Sequence, residues 1–189
     1  MTKTGGAGPG FHRAIPRRNF NVRDVSYGDI QLLRFWRNSS HVRQHMGDRS
    51  LISFEEQIRW YQNIDSQVEK RLIYGVANVD VGSMHAKLAD SSFEVGYMCG
   101  NKDYLGSWVN VAAALYIYDL GFIGAGKEVA HASIREENLP AMRLTEALGF
   151  TEASSSEGGL LHLQLEHDAY LSARERYAKL LFWMPGFPA

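Results

Sequence analysis

The sequence predicts a mixed α/β fold: one central sheet of about seven mostly antiparallel strands, with helices flanking both faces. Three observations predict it. Hydrophobic spacing changes period along the chain, helical in the early part and alternating in the middle. Serine, asparagine and glycine stand where such segments should start and stop. The resulting order is strand, two helices, three strands, helix, strand, helix, two strands and a last helix, which makes a meander followed by a β-α-β unit.

Residues 1–10 hold four glycines and a proline, too little apolar surface for a core, and with the basic stretch Phe11 to Arg18 they read as a mobile arm over 1–18. The folded domain is expected from Asn19 to His167. Phe20, Val22 and Val25 mark a first strand. Ser26 stands three residues before Asp29, a capping-box spacing that opens a helix running to about His45, and Ser53 with Glu56 repeats that spacing for a second. Leu72 to Val79 and Val81 to Leu88 read as strands parted at Asp80, and Phe93 to Cys99 as a third. An Ala- and Leu-rich helix follows from about Ser107 to Phe122, stopped by Gly124 and Gly126. Val129 to Ile134 is a strand, Asn138 to Leu148 a helix ended by Gly149, and Phe150 to Ala153 and Leu160 to Leu165 are the last strands. Residues 168–189 read as an amphipathic helix with an aromatic tail.

The charge balance removes several function classes. Lys+Arg total 20 against Asp+Glu 21, a net charge of −1, which argues against a strongly basic nucleic-acid binder. The single cysteine, Cys99, excludes an internal disulfide framework and a multi-cysteine zinc site. His41 and His45 stand at i and i+4 but lack the glutamate of a metalloprotease helix, so no metal is expected. No apolar run approaches membrane-spanning length, and no secretory core follows Met1, so a cytoplasmic protein is expected. The aromatic end, Leu181 to Phe187, is an association surface if exposed, expected to dock on its own sheet or pair two subunits.

The chemistry concentrates between Glu94 and Phe150. A strand enters the loop Tyr104-Leu105-Gly106-Ser107-Trp108-Val109-Asn110, and a long helix follows directly. A helix start with free backbone N–H groups is an anion site, and Gly106 lets the backbone approach a pyrophosphate. Asn138, Ala141, Thr145, Gly149 and Phe150 follow, while Phe35-Trp36-Arg37-Asn38, Met46, Ser53, Glu56 and Trp60 stand in the front half. Together these residues resemble the GCN5-related N-acetyltransferase (GNAT) family over roughly Asn21 to Glu166. The branch they look most like includes the acetyltransferases of nucleotide-linked amino sugars, and ribosomal-protein and aminoglycoside acetyltransferases share a similar front half.

The resemblance implies acetyl-coenzyme A as co-substrate and a small-molecule primary amine as acceptor, a nucleotide-linked amino sugar first, with a peptide or protein N-terminal amine and an aminoglycoside as rivals. It places Met98, Cys99, Tyr104 to Asn110, Asn138, Ala141 and Arg143 along the cofactor, and Arg34, Trp36, Arg37 and Asn38 along the acceptor. Glu94 is the expected proton acceptor for the amine, with Ser133, Glu136 and Glu137 as relays. Three positions depart from the family pattern. Asp103 and Trp108 replace the usual Gln or Arg and the second small residue of the phosphate loop, and Thr145 replaces a tyrosine that protonates the leaving thiolate. Either solvent protonates the thiolate, or another residue such as Tyr97 or Tyr104 substitutes, or the site is impaired. A catalytically silent module on the same fold is the reading those departures favour.

Overall fold

The computed structural model describes residues 19–156 and 158–177. The arm over 1–18, and the aromatic end with the second-subunit contact expected of it, lie outside the described residues.

β1 (Phe20–Asp24) leads through a 3-10 turn into α1 (Ile30–Asn38). The expected capping box closes there: Ser26 N–H and Oγ both donate to Asp29 Oδ2, at 2.8 and 2.7 Å. The single helix expected to His45 is instead two. Ser39 adopts extended dihedrals (φ −62°, ψ 143°), and α2 (Ser40–Arg43) starts afresh beyond it. At α3 (Phe54–Gln62) the second capping box forms as spaced, Ser53 N–H donating to Glu56 Oε2 at 2.7 Å and Glu56 N–H to Ser53 Oγ at 3.2 Å.

β2 (Glu69–Val76), β3 (Val79–Leu88) and β4 (Ser92–Cys99) form the meander. Its first turn lies at Ala77-Asn78 and not at Asp80, which belongs to β3. Ala77 carries the positive φ (52°) that the turn needs, a dihedral that alanine does not advertise in a sequence. α4 (Trp108–Asp119) connects β4 to β5 (Val129–Arg135), and α5 (Leu139–Leu148) connects β5 to β6 (Thr151–Ser156). β7 (Leu160–Glu166) inserts between β5 and β6, and α6 (His167–Arg176) closes the described chain. The sheet order is β1-β2-β3-β4-β5-β7-β6, antiparallel throughout except for the β4–β5 pair.

α4 is buried nearly all round. Ala112, Ala113 and Ala114 are at most 1% exposed, so its backbone sits close to the sheet. The main core lies on that face and includes Tyr74, Met84, Phe93, Val95, Leu115 and Leu165. A smaller core of Leu33, Trp36 and Ile73 lies under α1 on the other face. α6 is locked onto α4 by Asp119, whose Oδ1 accepts from Tyr170 Oη at 2.6 Å and Arg174 Nε at 2.8 Å.

Candidate active site

Two neighbouring strands part company at the centre of this sheet. β4 and β5 run parallel and pair at Ser92–Val129, Phe93–Ala130 and Glu94–His131, where the ladder stops. β4 continues to Cys99 and β5 to Arg135. Beyond Glu94 the two facing edges therefore present backbone N–H and C=O groups to a cleft rather than to each other.

The mouth of that cleft is the turn before α4. Leu105 (φ −57°, ψ 135°) and Gly106 (φ +68°) are the two central residues of a type II turn closed by Ser107 N–H donating to Tyr104 O at 3.1 Å. Nothing lies within 4 Å of a Cβ built at Gly106, so glycine is required here by its dihedral and not by space. Asn110 ties the turn down: its Nδ2 donates to Tyr104 O at 2.6 Å, and its Oδ1 accepts from Tyr74 Oη at 2.8 Å. Tyr74 Oη reaches Met98 O at 3.2 Å as well, joining turn, helix and β4. The Asn110 side chain thus shapes the loop from beneath. Among the described residues the N–H groups of Gly106, Trp108 and Val109 have no hydrogen-bond partner. A fixed turn with several such N–H groups at a helix start suits a pyrophosphate.

The two departures from the family loop leave this arrangement intact. The Trp108 ring packs on the Phe20 ring of β1, centroids 6.4 Å apart. Asp103 is exposed, and its N–H is capped by Asn101 Oδ1 at 3.1 Å. Opposite, Asn138 caps α5 through Oδ1 and Ala141 N–H at 3.4 Å, and Gly149 ends that helix at φ 92°. Arg143 is exposed on α5. Thr145 is buried and its hydroxyl donates to Ala141 O (3.2 Å) and Met142 O (2.9 Å), so it faces its own helix.

Strand alternation sorts the β4 candidates onto two faces. Phe93 and Val95 are buried against α4, and Tyr97 and Cys99 pack with them. Glu94, Gly96 and Met98 belong to the α1–α3 face, where Met98 packs on the smaller core and Glu94 is exposed. Burial pushes the Tyr97 phenol up to about 12, so it holds its proton at neutral pH. Burial raises the Cys99 thiol too, and its Sγ donates to Asn101 O at 3.2 Å; this is a protonated packing residue, not a nucleophile.

The α1 candidates also support the loop over them. Asn38 Nδ2 donates to Ile52 O at 2.8 Å, Asn38 Oδ1 accepts from Ile52 N–H at 2.9 Å, and Arg34 Nε donates to the same Ile52 O at 2.9 Å. Trp36 is 4% exposed and its ring occupies the space a Gly100 side chain would need. Arg37 donates to Asp48 O, while its second terminal nitrogen, Nη1, is buried without a partner among the described residues. On β5, Ser133 Oγ shares a 2.9 Å hydrogen bond with His162 Nδ1 of β7. Glu136 is exposed beyond the strand, and Glu137 pairs with Arg49.

Residues that the sequence did not assign to the site also shape this face. Arg135, at the end of β5, donates to Met46 O (2.8 Å), Gly47 O (2.8 Å) and Gly158 O (2.9 Å), holding the loop after α2 across the strand end. His41 Nε2 donates to Cys99 O at 3.3 Å and Gly100 O at 3.2 Å. Arg71 of β2 pairs with Glu69 and lies over the Trp60 ring, 5.1 Å from its centroid. No spacing rule flags a lone arginine inside a strand.

A mixed sheet forked between neighbouring parallel strands, with a helix-start turn at the mouth of the fork, is the GNAT fold. The chain belongs to that family: the model of the acetyltransferase (GNAT) domain matches residues 19–151. An uncharacterized protein of Methanocaldococcus jannaschii is 26% identical over 134 residues, 68% of this chain and 27% of that protein. The chain thus spans about a quarter of the length of this curated relative. Among solved structures, FdhC, a nucleotide-linked sugar GNAT, superposes with a TM-score of 0.73 at 18% identity, covering 87% of this chain and 96% of its own. Aminoglycoside acetyltransferase AAC(6')-Ib in complex with coenzyme A gives 0.69 at 16%, covering 82% and 99%. Spermidine N-acetyltransferase from Vibrio cholerae, with coenzyme A and spermine, gives 0.67 at 18%, covering 81% and 98%.

Proposed function

We propose that this domain transfers the acetyl group of acetyl-coenzyme A to a primary amine of a small molecule, with a nucleotide-linked amino sugar the favoured acceptor. The observation that carries the reading is the fork beyond Glu94–His131, with its fixed turn of unpartnered N–H groups at the mouth. The N–H groups of Gly106, Trp108 and Val109 bind the pyrophosphate, and the β4 edge near Met98 offers backbone donors to the thioester oxygen. Acetyl-coenzyme A supplies the activated acetyl group. Glu94, exposed on the α1–α3 face, takes the proton of the incoming ammonium directly or through one water. Tyr97, on the opposite face of β4, protonates the departing thiolate, so base and acid act from the two sides of the strand. The acceptor preference is supported by the front-half residues and by the likeness to FdhC; aminoglycosides and polyamines are the rivals, since AAC(6')-Ib and the spermidine enzyme superpose nearly as well.

A silent coenzyme A-binding module is the second reading. It is favoured by Thr145, whose hydroxyl is bonded within α5 at the position of the family's acid. Acetyl-coenzyme A at a hundred times its Kd should stabilise the protein by about 2.7 kcal/mol. Thiol release with a nucleotide-linked amino sugar, an aminoglycoside and a polyamine then separates the readings. Stabilisation without release across the three supports the module, and no stabilisation overturns both. For the active enzyme, Glu94→Gln is expected to lower kcat/KM by about 10²–10⁴-fold and to remove the limb of the pH profile that reports the base. An unchanged profile would take Glu94 out of that role.

A further inference from the structure

His85 of β3 faces Arg71 of β2 and Gly96 of β4 across the α1–α3 side of the sheet. Gly96 has no side chain, and the imidazole fills the gap: a Cβ built at Gly96 would fall 2.4 Å from His85 Cε1. The ring therefore lies over β4 at Gly96, between Glu94 and Met98 on the same face and just past the point where the fork opens. Neither ring nitrogen has a hydrogen-bond partner among the described residues, and neither is sealed from solvent. An enclosed imidazole left unpartnered costs about 1–3 kcal/mol, so water or a ligand must complete it. Its charge state is fixed as well. Burial, reinforced by the Arg71 guanidinium, lowers the imidazole to about 3, so the ring is neutral and keeps one nitrogen free to accept.

We propose that His85 is an acceptor-orienting residue, its neutral ring taking a hydrogen bond from the amine nitrogen that is to be acetylated. This rests on the acetyltransferase reading above. Glu94 removes one proton from the ammonium. The neutral amine keeps two N–H bonds and donates one of them to His85, which leaves its lone pair aimed toward the fork. Two acceptors on neighbouring strands of one sheet face, one charged and one neutral, distinguish an amine from an alcohol, which has a single proton to give.

The test uses the full chain, acetyl-coenzyme A and whichever amine of the three-member panel is turned over fastest. His85→Phe keeps a flat ring and removes the acceptor; Gly96→Ala leaves His85 in the sequence but displaces its ring. Both are expected to lower kcat/KM for the amine at least tenfold while the KM for acetyl-coenzyme A stays within twofold. His85→Gln, which keeps an accepting atom, should recover part of the loss. In the wild type, the His85 Cε1–H resonance, identified by its loss in His85→Phe, should move when the amine is added. Wild-type turnover with unchanged amine kinetics in His85→Phe overturns the role of His85 alone. Failure of the wild type to release thiol with any amine overturns the acetyltransferase reading, and this inference with it.

Discussion

Replacing Gly106 with alanine tests the turn at the mouth of the fork through its sign. Gly106 sits at φ +68°, and a methyl group there meets no heavy atom within 4 Å. The change therefore adds no clash, and only the dihedral counts. A left-handed residue with a Cβ costs about 1–2 kcal/mol. The offsetting gain from a stiffer unfolded chain is about 0.4–1 kcal/mol. The net expectation is a loss of about 1 kcal/mol, or about 2–4 °C in Tm for a chain of this size. Gly106→Asn should lose less, because asparagine tolerates this region better than alanine. Urea and thermal unfolding of the three proteins give the comparison, and titration with coenzyme A adds a second reading, since a distorted turn misaims the N–H groups of Gly106, Trp108 and Val109. An alanine variant more stable than wild type by about 0.4–1 kcal/mol would refute the reasoning, because that is the signature of a glycine at an ordinary negative φ.

Tyr170→Phe removes the hydroxyl that donates to Asp119 and keeps the ring stacked on Phe122; a loss of about 1.5–3 kcal/mol, seen as a lower urea midpoint with an unchanged slope, is expected. His85 and Asp29 should both weaken the fold in acid, in different windows. The folded His85 imidazole, at about 3, lies below its unfolded 6.5, so stability falls as pH drops from 6.5 toward 3; His85→Gln should flatten that limb. Asp29, held at about 2 by the Arg23 guanidinium and Ser26, contributes stability above 3.8 that is lost as pH falls through 2, and Asp29→Asn should remove that lower limb; Arg23 is 41% exposed, so solvent screening limits this contribution to about 1 kcal/mol. Arg135→Ala frees the loop it holds at Met46 and Gly47, and should raise the KM of the amine several-fold with that of acetyl-coenzyme A unchanged.

What could be read in advance was whatever local chemistry dictates. Ser53 and Glu56 announce a helix start because the two groups that close it are three residues apart. Asn138 and Gly149 bracket α5 for similarly local reasons. Gly106 stood out as a glycine in a strand-to-helix turn, and its φ of +68° is a dihedral that few other residues tolerate. What was missed depends on register or on tertiary packing. The hairpin turn falls at Ala77-Asn78, where alanine takes a dihedral that its own preferences oppose. α1 stops at Ser39, whose Oγ donates to Trp36 O, although the residues beyond it continue a helical pattern. That Asn38 and Arg34 both hold Ile52 could not be read either, because the three meet only when the loop folds over α1. His85 matters through Gly96, eleven residues away, and only the pairing of β3 with β4 brings them together.

The fork has a consequence for exchange with solvent. On β4, successive amides point alternately toward β3 and toward β5. Up to Glu94 both directions are covered, but from Val95 to Cys99 only the β3 side is. Deuterium uptake along those five residues should therefore alternate between slow and fast, and a molecule lying in the cleft should slow the fast set while leaving the slow set unchanged.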